Sequence, residues 1–380
     1  MRHTVKVLHM TTLHHPLDPR IYYKQCASLK RAGYDVTLLA PVPTNTEEGD
    51  VPFEPLPKYT NRWKGLLFGT IRAYFRAKKQ KADVYHIHDP ELLPVGWLLK
   101  NKRNHVIYDI HEDYETGIVQ RQYFTRPVRK FIASVYKKVE AVCTRRMELI
   151  LAEKYYLEKY PQGLCVLNYP ILQEKLTDID RSFQQADGLL YTGNVTKDRG
   201  AMQHAALPAL DKSLQVHLYG YCPESLAAEM KQRAGAHEAR LHLHGAGSYV
   251  PKAEIDAAYA QSGWLAGIAL FPPSDHYMKK ELTKFFEYMA AGLPVICSDY
   301  PKWQAFMDTY QCGICVNPDS REEIRDAVDY LREHPEEAKA MGERGREAVQ
   351  RHLHWGHEEK KLTALYDRLN GIEAGESSDN

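Results

Sequence analysis

With 380 residues and a mass of 43.7 kDa the chain is too long for one ordinary domain and suits two, at roughly 150 residues per domain. Its 44% hydrophobic and 26% charged residues are those of a globular protein and exclude a disordered chain. A formal net charge of +1 conceals a split, since residues 1–170 hold 27 Lys and Arg against 17 Asp and Glu, and the remainder 23 against 32, so the two halves have different electrostatic tasks.

No apolar run reaches the length of about 20 residues that a membrane span needs, and MRHTVKVLHM lacks the apolar core of a signal peptide, so the expected location is cytoplasmic. The seven cysteines are odd in number and scattered, which favours reduced thiols over a disulfide framework. Cys312 and Cys315 form a C-x-x-C inside QCGICVNPD, a short strand by its pattern, and are read as buried thiols.

The first half begins with the strand VKVLHM, an irregular TTLHHPLDPR, and then helix, Gly turn and strand in IYYKQCASLKRAGYDVTLLAPV. ADVYHIHD and HVIYDIHED repeat an apolar β segment ending in polar residues, with a crossover helix in PELLPVGWLLKNKR between them. Strands alternating with helices predict a parallel sheet with helices on both faces, and ligands bind such sheets beyond the carboxyl ends of the strands. The polar residues there are His14, His15, Asp18 and Arg20, then His86, His88 and Asp89, then His111, Glu112 and Asp113. His86 and His88 share one face of a strand and, with His111, are either a metal site or satisfied histidines; the second reading is preferred.

Residues 61–81, NRWKGLLFGTIRAYFRAKKQK, carry seven basic residues and no acid among aromatics and leucines, and RQYFTRPVRKFIASVYKK adds a second basic and aromatic run. Either these side chains form core and solvated face, or the segment touches an anionic membrane surface. Nucleic acid is a poorer fit, because no nucleic-acid module accompanies the charge.

A second sheet begins after LNYPILQEKL, with the strands GLLYTGNV, QVHLYGY, RLHLHGAG, LAGIALFPP, LPVICSD and GICVNPD. The count predicts an α/β protein of two doubly wound, Rossmann-like parallel-sheet domains, residues 1–170 and 171–370, the last helix packing back on the first domain and residues 371–380 forming a mobile tail. Asp178-Ile-Asp180 has the form of a metal-binding D-x-D but lies in the linker and is read as chance.

In LTKFFEYMAAGLPVICSDYP a helix starts near Thr283, Gly292 stops it, and VICSD returns as a strand. The free N–H groups at such a start favour a diphosphate, Lys284 adds a full charge, and Glu287 one turn on can accept from two ribose hydroxyls. An exposed Lys284–Glu287 ion pair without function is the competing reading. A second phosphate signal is YTGNVTKDRG, where a strand ends on Gly193 and a loop presents Lys197 and Arg199.

Together HHPLDPRI, DVYHIHDPELLPVG, YDIHED, YTGNVTKDRG, HGAG, KFFEYMAAGLPVICSD and CGICVNPDS resemble the retaining glycosyltransferases of family 4, over most of the chain. That resemblance implies the GT-B fold, two Rossmann-like domains facing a cleft, with the nucleotide sugar on the C-terminal domain and the acceptor on the N-terminal one. It implies transfer of a hexose or N-acetylhexosamine from a UDP-sugar to a polysaccharide or lipid-linked acceptor of the bacterial surface. Protein cations at the departing diphosphate make a metal unnecessary in this reading, and contact through the basic runs would hold the protein at the inner face of the membrane. By the same resemblance Glu287 holds the ribose, Arg199 the diphosphate, Gly245 to Val250 the base, and His111 lies near the transferred sugar. Arg199, Lys284 and His111 are the expected catalytic residues. Gly193, Asn194, Leu282 and Thr283 complete the donor site, and Asp18, Arg20, His88 and Asp89 are expected at the acceptor.

Two positions depart from the family pattern. A second glutamate, eight residues before the ribose-binding one, is Lys279 here, and the first basic residue of the phosphate loop is Asn194, for which Lys284 substitutes in this reading. They keep in view a non-catalytic partner of another transferase; the other alternative, a UDP-sugar 2-epimerase, needs carboxylates around the sugar, and Lys279 counts against it.

Overall fold

The structure, a computed structural model, describes residues 4–42, 49–59, 65–112, 126–173, 176, 179–274 and 276–372. Asp113, residues 61–64 of the basic stretch, Asp178 of the D-x-D and most of the tail lie outside the described residues.

The chain forms two compact units, residues 1–168 with 355–380, and residues 169–354. In the first, seven parallel strands are β1 Lys6–Met10, β2 Asp35–Pro41, β3 Phe53–Leu56, β4 Val84–Ile87, β5 His105–Ile110, β6 Glu148–Leu151 and β7 Leu164–Cys165, in the order β3-β2-β1-β4-β5-β6-β7. Runs such as VLHM and VIYDI are buried at every position, as strands covered on both faces are. Because the order runs outward in both directions from β1 and β4, the connections leave opposite faces there and open a crevice at the strands' carboxyl ends.

The first helix differs from the expected α-helix. Pro19–Cys26 is a π-helix leading into a short α-helix Ala27–Arg31, and Asp18 caps it by accepting from the N–H groups of Arg20 at 2.9 Å and Ile21 at 3.0 Å. The wider turn places Arg20 and Gln25 together on Asp109; π-turns concentrate at functional sites.

The last helix, Trp355–Leu369, belongs to this first unit. Trp355 is buried and donates Nε1–H to Ser28 Oγ at 2.9 Å, Glu358 accepts from the Leu167 N–H at 2.8 Å, and Leu362, Leu365 and Tyr366 join the core with Val7, Val36 and Ile107.

In the second unit six parallel strands are β8 Gly188–Thr192, β9 Gln215–Tyr219, β10 Leu241–Leu243, β11 Trp264–Ala269, β12 Val295–Ser298 and β13 Gly313–Val316, ordered β10-β9-β8-β11-β12-β13. The reversal falls between β8 and β11. Cys312 is buried just before β13, and Cys315 within it lies 3.6 Å from Cys297 across the strand pair, both in β-sheet backbone. Among the described residues no helix is long and apolar enough to cross a membrane.

If the last helix is part of the first unit's core, Trp355→Ala should cost that unit about 3–5 kcal/mol in urea denaturation, as large-to-small core changes do. A loss within about 0.5 kcal/mol, the size of a surface substitution, would contradict this packing.

Candidate functional sites at the two crossover points

In the first unit a carboxylate organises the carboxyl ends of β1, β4 and β5. Asp109 has no solvent exposure, and its Oδ1 accepts from Arg20 Nη2 at 2.8 Å. Its Oδ2 receives Arg20 Nε at 2.9 Å, Gln25 Nε2 at 2.7 Å and His111 Nε2 at 2.8 Å. Burial alone would raise the Asp109 pKa, but Arg20 and then His111 outweigh it and hold the group well below the usual carboxylate range. A carboxylate only accepts, so the His111 nitrogen facing it carries hydrogen, and in the neutral ring Nδ1 is the acceptor.

Behind His111 lie more imidazoles. His111 Nε2 is 3.2 Å from His88 Nδ1, and His88 Nε2 is 2.9 Å from His9 Nδ1. The ring of His88 stacks on those of His86 and His9, with centroids 4.6 and 5.2 Å apart, and His9 lies tilted against His86 at 4.4 Å. Burial pushes all three pKa values down, His88 to about 3, so the stack is neutral. The expected trio His86, His88 and His111 does not come together as one cluster; the groupings are His9 with His86 and His88, and His88 with Asp109 and His111. A metal needs donors converging at about 2.0–2.1 Å, whereas His9 Nδ1 and His88 Nε2 face each other at hydrogen-bond distance, 2.9 Å, and His86 Nδ1 is 2.8 Å from Tyr366 Oη. Asp109 is already saturated by Arg20 and Gln25.

Three residues expected at the acceptor are interior here. Arg20 is spent on Asp109, His88 is enclosed by His9 and His111, and Asp89 holds the TTLHH turn by accepting from Thr11 Oγ1 at 2.9 Å, the Thr12 N–H at 2.5 Å and the Leu13 N–H at 3.2 Å. Through these interior hydrogen bonds the three groups position the loops and His111. Asp18 keeps partial exposure beside His14, whose pKa burial would lower but which Asp18 and Asp89 hold up at about 9.

The second unit's crossover point carries the opposite charge. The helix Thr283–Ala290 begins at Leu282 with no side chain capping its N-terminus, and it ends as expected at Gly292, with φ 67° and the Leu293 N–H bonded to the Tyr288 carbonyl at 2.9 Å. Tyr288 fixes it in place, accepting from the Thr192 N–H at 3.2 Å and donating to the Ile268 carbonyl at 3.2 Å, between β8 and β11. A Cβ on Gly267 would lie 2.3 Å from the Tyr288 ring, so the strand needs glycine there.

Lys284 is 8% exposed, with Nζ 4.8 Å from the Tyr191 ring centre and 4.9 Å from that of Phe271. Among the described residues no carboxylate pairs with it. Burial first, and then the charge of Arg199, push its pKa down to about 7. The Lys284–Glu287 ion pair of the competing reading is not formed: Glu287 Oε2 accepts from Tyr259 Oη at 2.8 Å, and Tyr259 accepts from Thr192 Oγ1 at 2.7 Å. Arg199 donates Nε–H to Tyr277 Oη at 2.9 Å, and its loop is pressed on β11 so closely that a Cβ on Gly200 would meet the Leu270 carbonyl oxygen at 1.8 Å.

Gly193, Gly220 and Gly245 end β8, β9 and the turn after β10, and a Cβ on Gly220 or Gly245 would strike the backbone of the glycine before it. The result is an edge bare of side chains, beside exposed Asn194 and buried Val250. Lys284, Arg199, Thr283 and Glu287 are thus brought together around the β8–β11 reversal. Lys197, whose Nζ lies 2.5 Å from Glu229, turns outward. Sequence reasoning missed Tyr191, Tyr259, Phe271, Tyr277 and Tyr288, which enclose these groups, and Gly220, whose repeated strand-Gly ending in YGY was the available signal.

Comparison with known proteins follows this geometry. Residues 20–156 match the family model described as glycosyl transferase 4-like domain, and residues 206–364 match the one described as glycosyl transferase-like. Sucrose-phosphate synthase from Thermosynechococcus elongatus superposes with a TM-score of 0.73 at 19% identity, covering 97% of this chain and 100% of that one. A glycosyltransferase from Rickettsia africae gives 0.70 at 13% identity, covering 97% and 99%. Anabaena HepE in complex with UDP-glucose gives 0.69 at 12% identity, covering 96% and 99%. No curated protein matches the sequence. The two family matches together span well over half of the chain, which belongs to the glycosyltransferases with the GT-B fold.

The Asp109 contact is open to direct measurement. Nitrogen-15 NMR of the neutral protein should find His111 protonated on Nε2 and bare on Nδ1, and the reverse tautomer would refute the assignment. Asp109→Asn, which leaves Arg20 buried without its counter-ion, should lower stability by about 3–5 kcal/mol in denaturant titration.

Proposed function

We propose that this glycosyltransferase takes its sugar from a UDP-sugar, binding the diphosphate at Lys284, Arg199 and the open N-terminus of the helix Thr283–Ala290, and passes it with retention to a saccharide or lipid-linked acceptor. One observation carries the reading: a buried ammonium, without a carboxylate partner among the described residues, beside a guanidinium at the crossover of a parallel sheet. Such a group calls for an anion. HepE, a structural relative, binds UDP-glucose, which supports uridine as the base. Glu287, with Oε2 on Tyr259, keeps its other oxygen for a ribose hydroxyl.

Sugar-phosphate cleavage builds negative charge on the departing diphosphate, and preorganised positive groups lower that barrier. Arg199 and Lys284 are the catalysts of departure in this scheme. The Asp109–His111 pair orients hydroxyls, with His111 Nδ1 accepting. No protein base is assigned, because the leaving phosphate takes the acceptor's proton. Protein cations supply the charge, so a divalent metal is not required.

In a UDP-sugar assay containing excess chelator, wild-type turnover should be unimpaired and Arg199→Ala should fall about a hundredfold, the loss typical of one charge-stabilising donor. Near-normal turnover by the variant would discard the assignment, and the identity of the product separates transfer from epimerisation.

Lys284 sets a pH dependence of known sign. Its pKa in the free protein, about 7, rises when a diphosphate arrives, so above that pH binding takes up a proton and UDP affinity falls by up to about tenfold per pH unit. Between about 7 and the ordinary 10.5 the unfolded chain holds the extra proton, so this group makes the free protein more stable as pH rises. Calorimetry in buffers of different ionisation heat should detect the uptake in wild type and not in Lys284→Met; affinity flat above neutrality would count against the site.

A further inference from the structure

We propose that the outer face of three helices of the first unit docks on an anionic lipid bilayer. Thr70–Gln80, Leu93–Leu99 and Arg126–Thr144 lie side by side over one face of the first sheet. Unlike an ordinary surface helix, they carry apolar residues on both faces. Toward the sheet they turn buried residues, Ala73 and Ala77 from the first, Leu93, Val95 and Leu99 from the second, and Ala133 and Cys143 from the last. Away from it they hold large apolar ones.

Leu67, Phe68, Ile71 and Phe75, on the first helix and the π-turn Gly65–Gly69 before it, are exposed, Phe75 at 59%. Trp97 and Leu98 follow on the second, Leu98 at 57%. On the third, Val128, Phe131, Val135, Val139 and Val142 recur every three or four residues and form one exposed stripe, Phe131 reaching 70%. Burying these side chains beneath the helices would have been worth about 1.5–3 kcal/mol each. Folding alone does not favour this arrangement, and contiguous apolar surface of this kind marks an interaction site.

Charge identifies the occupant. Residues 65–81, 93–104 and 126–139 contain five, three and five Lys or Arg and no Asp or Glu. Arg72, Lys79, Lys130 and Lys138 are exposed beside the apolar side chains. A second copy meeting this face by two-fold symmetry would set like charges against each other. A bilayer with anionic head groups takes the apolar side chains below its surface and the basic ones at it. The surface reaches beyond the segment 61–81 expected from sequence, of which residues 61–64 lie outside the description. It does not depend on the donor site.

The full chain should sediment with phosphatidylcholine vesicles containing phosphatidylglycerol at low salt, and not with phosphatidylcholine alone. Each basic residue at the surface is worth roughly fivefold in partitioning, so Lys79→Glu, Lys130→Glu and Lys138→Glu combined should lower it by at least a hundredfold, about. Phe68→Ser, Phe75→Ser and Phe131→Ser combined should also weaken binding, with the thermal transition unchanged because all three are exposed. Three results would overturn the proposal: no binding to anionic vesicles, binding unaffected by the phenylalanine changes, or self-association without lipid that those changes abolish. Sugar transfer is read separately, so failure here leaves the donor site standing, and failure there leaves this surface standing.

Discussion

An ammonium group enclosed by protein gives up its proton easily unless negative charge reaches it, and Lys284, its pKa pushed down to about 7, is in that position. Tyr191 and Phe271 offer it ring faces at 4.8 and 4.9 Å, an attraction of about 0.5–2 kcal/mol that offsets only part of the lost hydration. Glu287, one helical turn away, would be the natural counter-ion, but Tyr259 holds its carboxylate. The tyrosine that keeps Glu287 in place also bonds to Thr192 at the end of β8, and Tyr288 bonds to the same residue's backbone. One strand end thereby fixes both the helix and its acidic residue, and the cation is kept apart from the anion that could neutralise it.

The first unit solves the converse problem at the same place in its sheet. There the enclosed group is a carboxylate, and Asp109 is fully paired within the fold by Arg20, Gln25 and His111. A saturated buried charge holds its surroundings still, whereas an unsaturated one draws a ligand. Asp109 accordingly fixes His111, and Lys284 is left with its charge uncompensated within the fold.

Much of this was legible from residue patterns. Strand and helix alternation pointed to two doubly wound sheets, because parallel strands buried on both faces leave long apolar runs; Gly292 marked the end of the helix with Lys284 and Glu287. The contacts between distant residues were not legible. Arg20 and Asp109 are 89 positions apart, and nothing in PRIYYKQC announces a π-turn that would aim Arg20 inward. Polar residues at strand ends looked like ligand contacts, and no pattern showed that Arg20, His88 and Asp89 are buried and bond to neighbouring loops and side chains. The tyrosines around Lys284 were hidden for a related reason: scattered over Tyr191, Tyr259, Tyr277 and Tyr288, they read as ordinary core until the sheet order brings them together.

Net charge proved a guide to surfaces and a poor guide to sites. The half richer in Lys and Arg, residues 1–170, centres its interior on a carboxylate, while the half richer in Asp and Glu encloses Lys284 and Arg199. The reason is one of number and screening. Exposed charges are many and weakened by water and salt, so their sum describes what a surface attracts, and the basic excess of the first half is displayed on helices whose phenylalanines also face outward. Enclosed charges are few, and each acts at close range in a weakly screening medium, so one lysine outweighs the surrounding acidic excess for any ligand that reaches it.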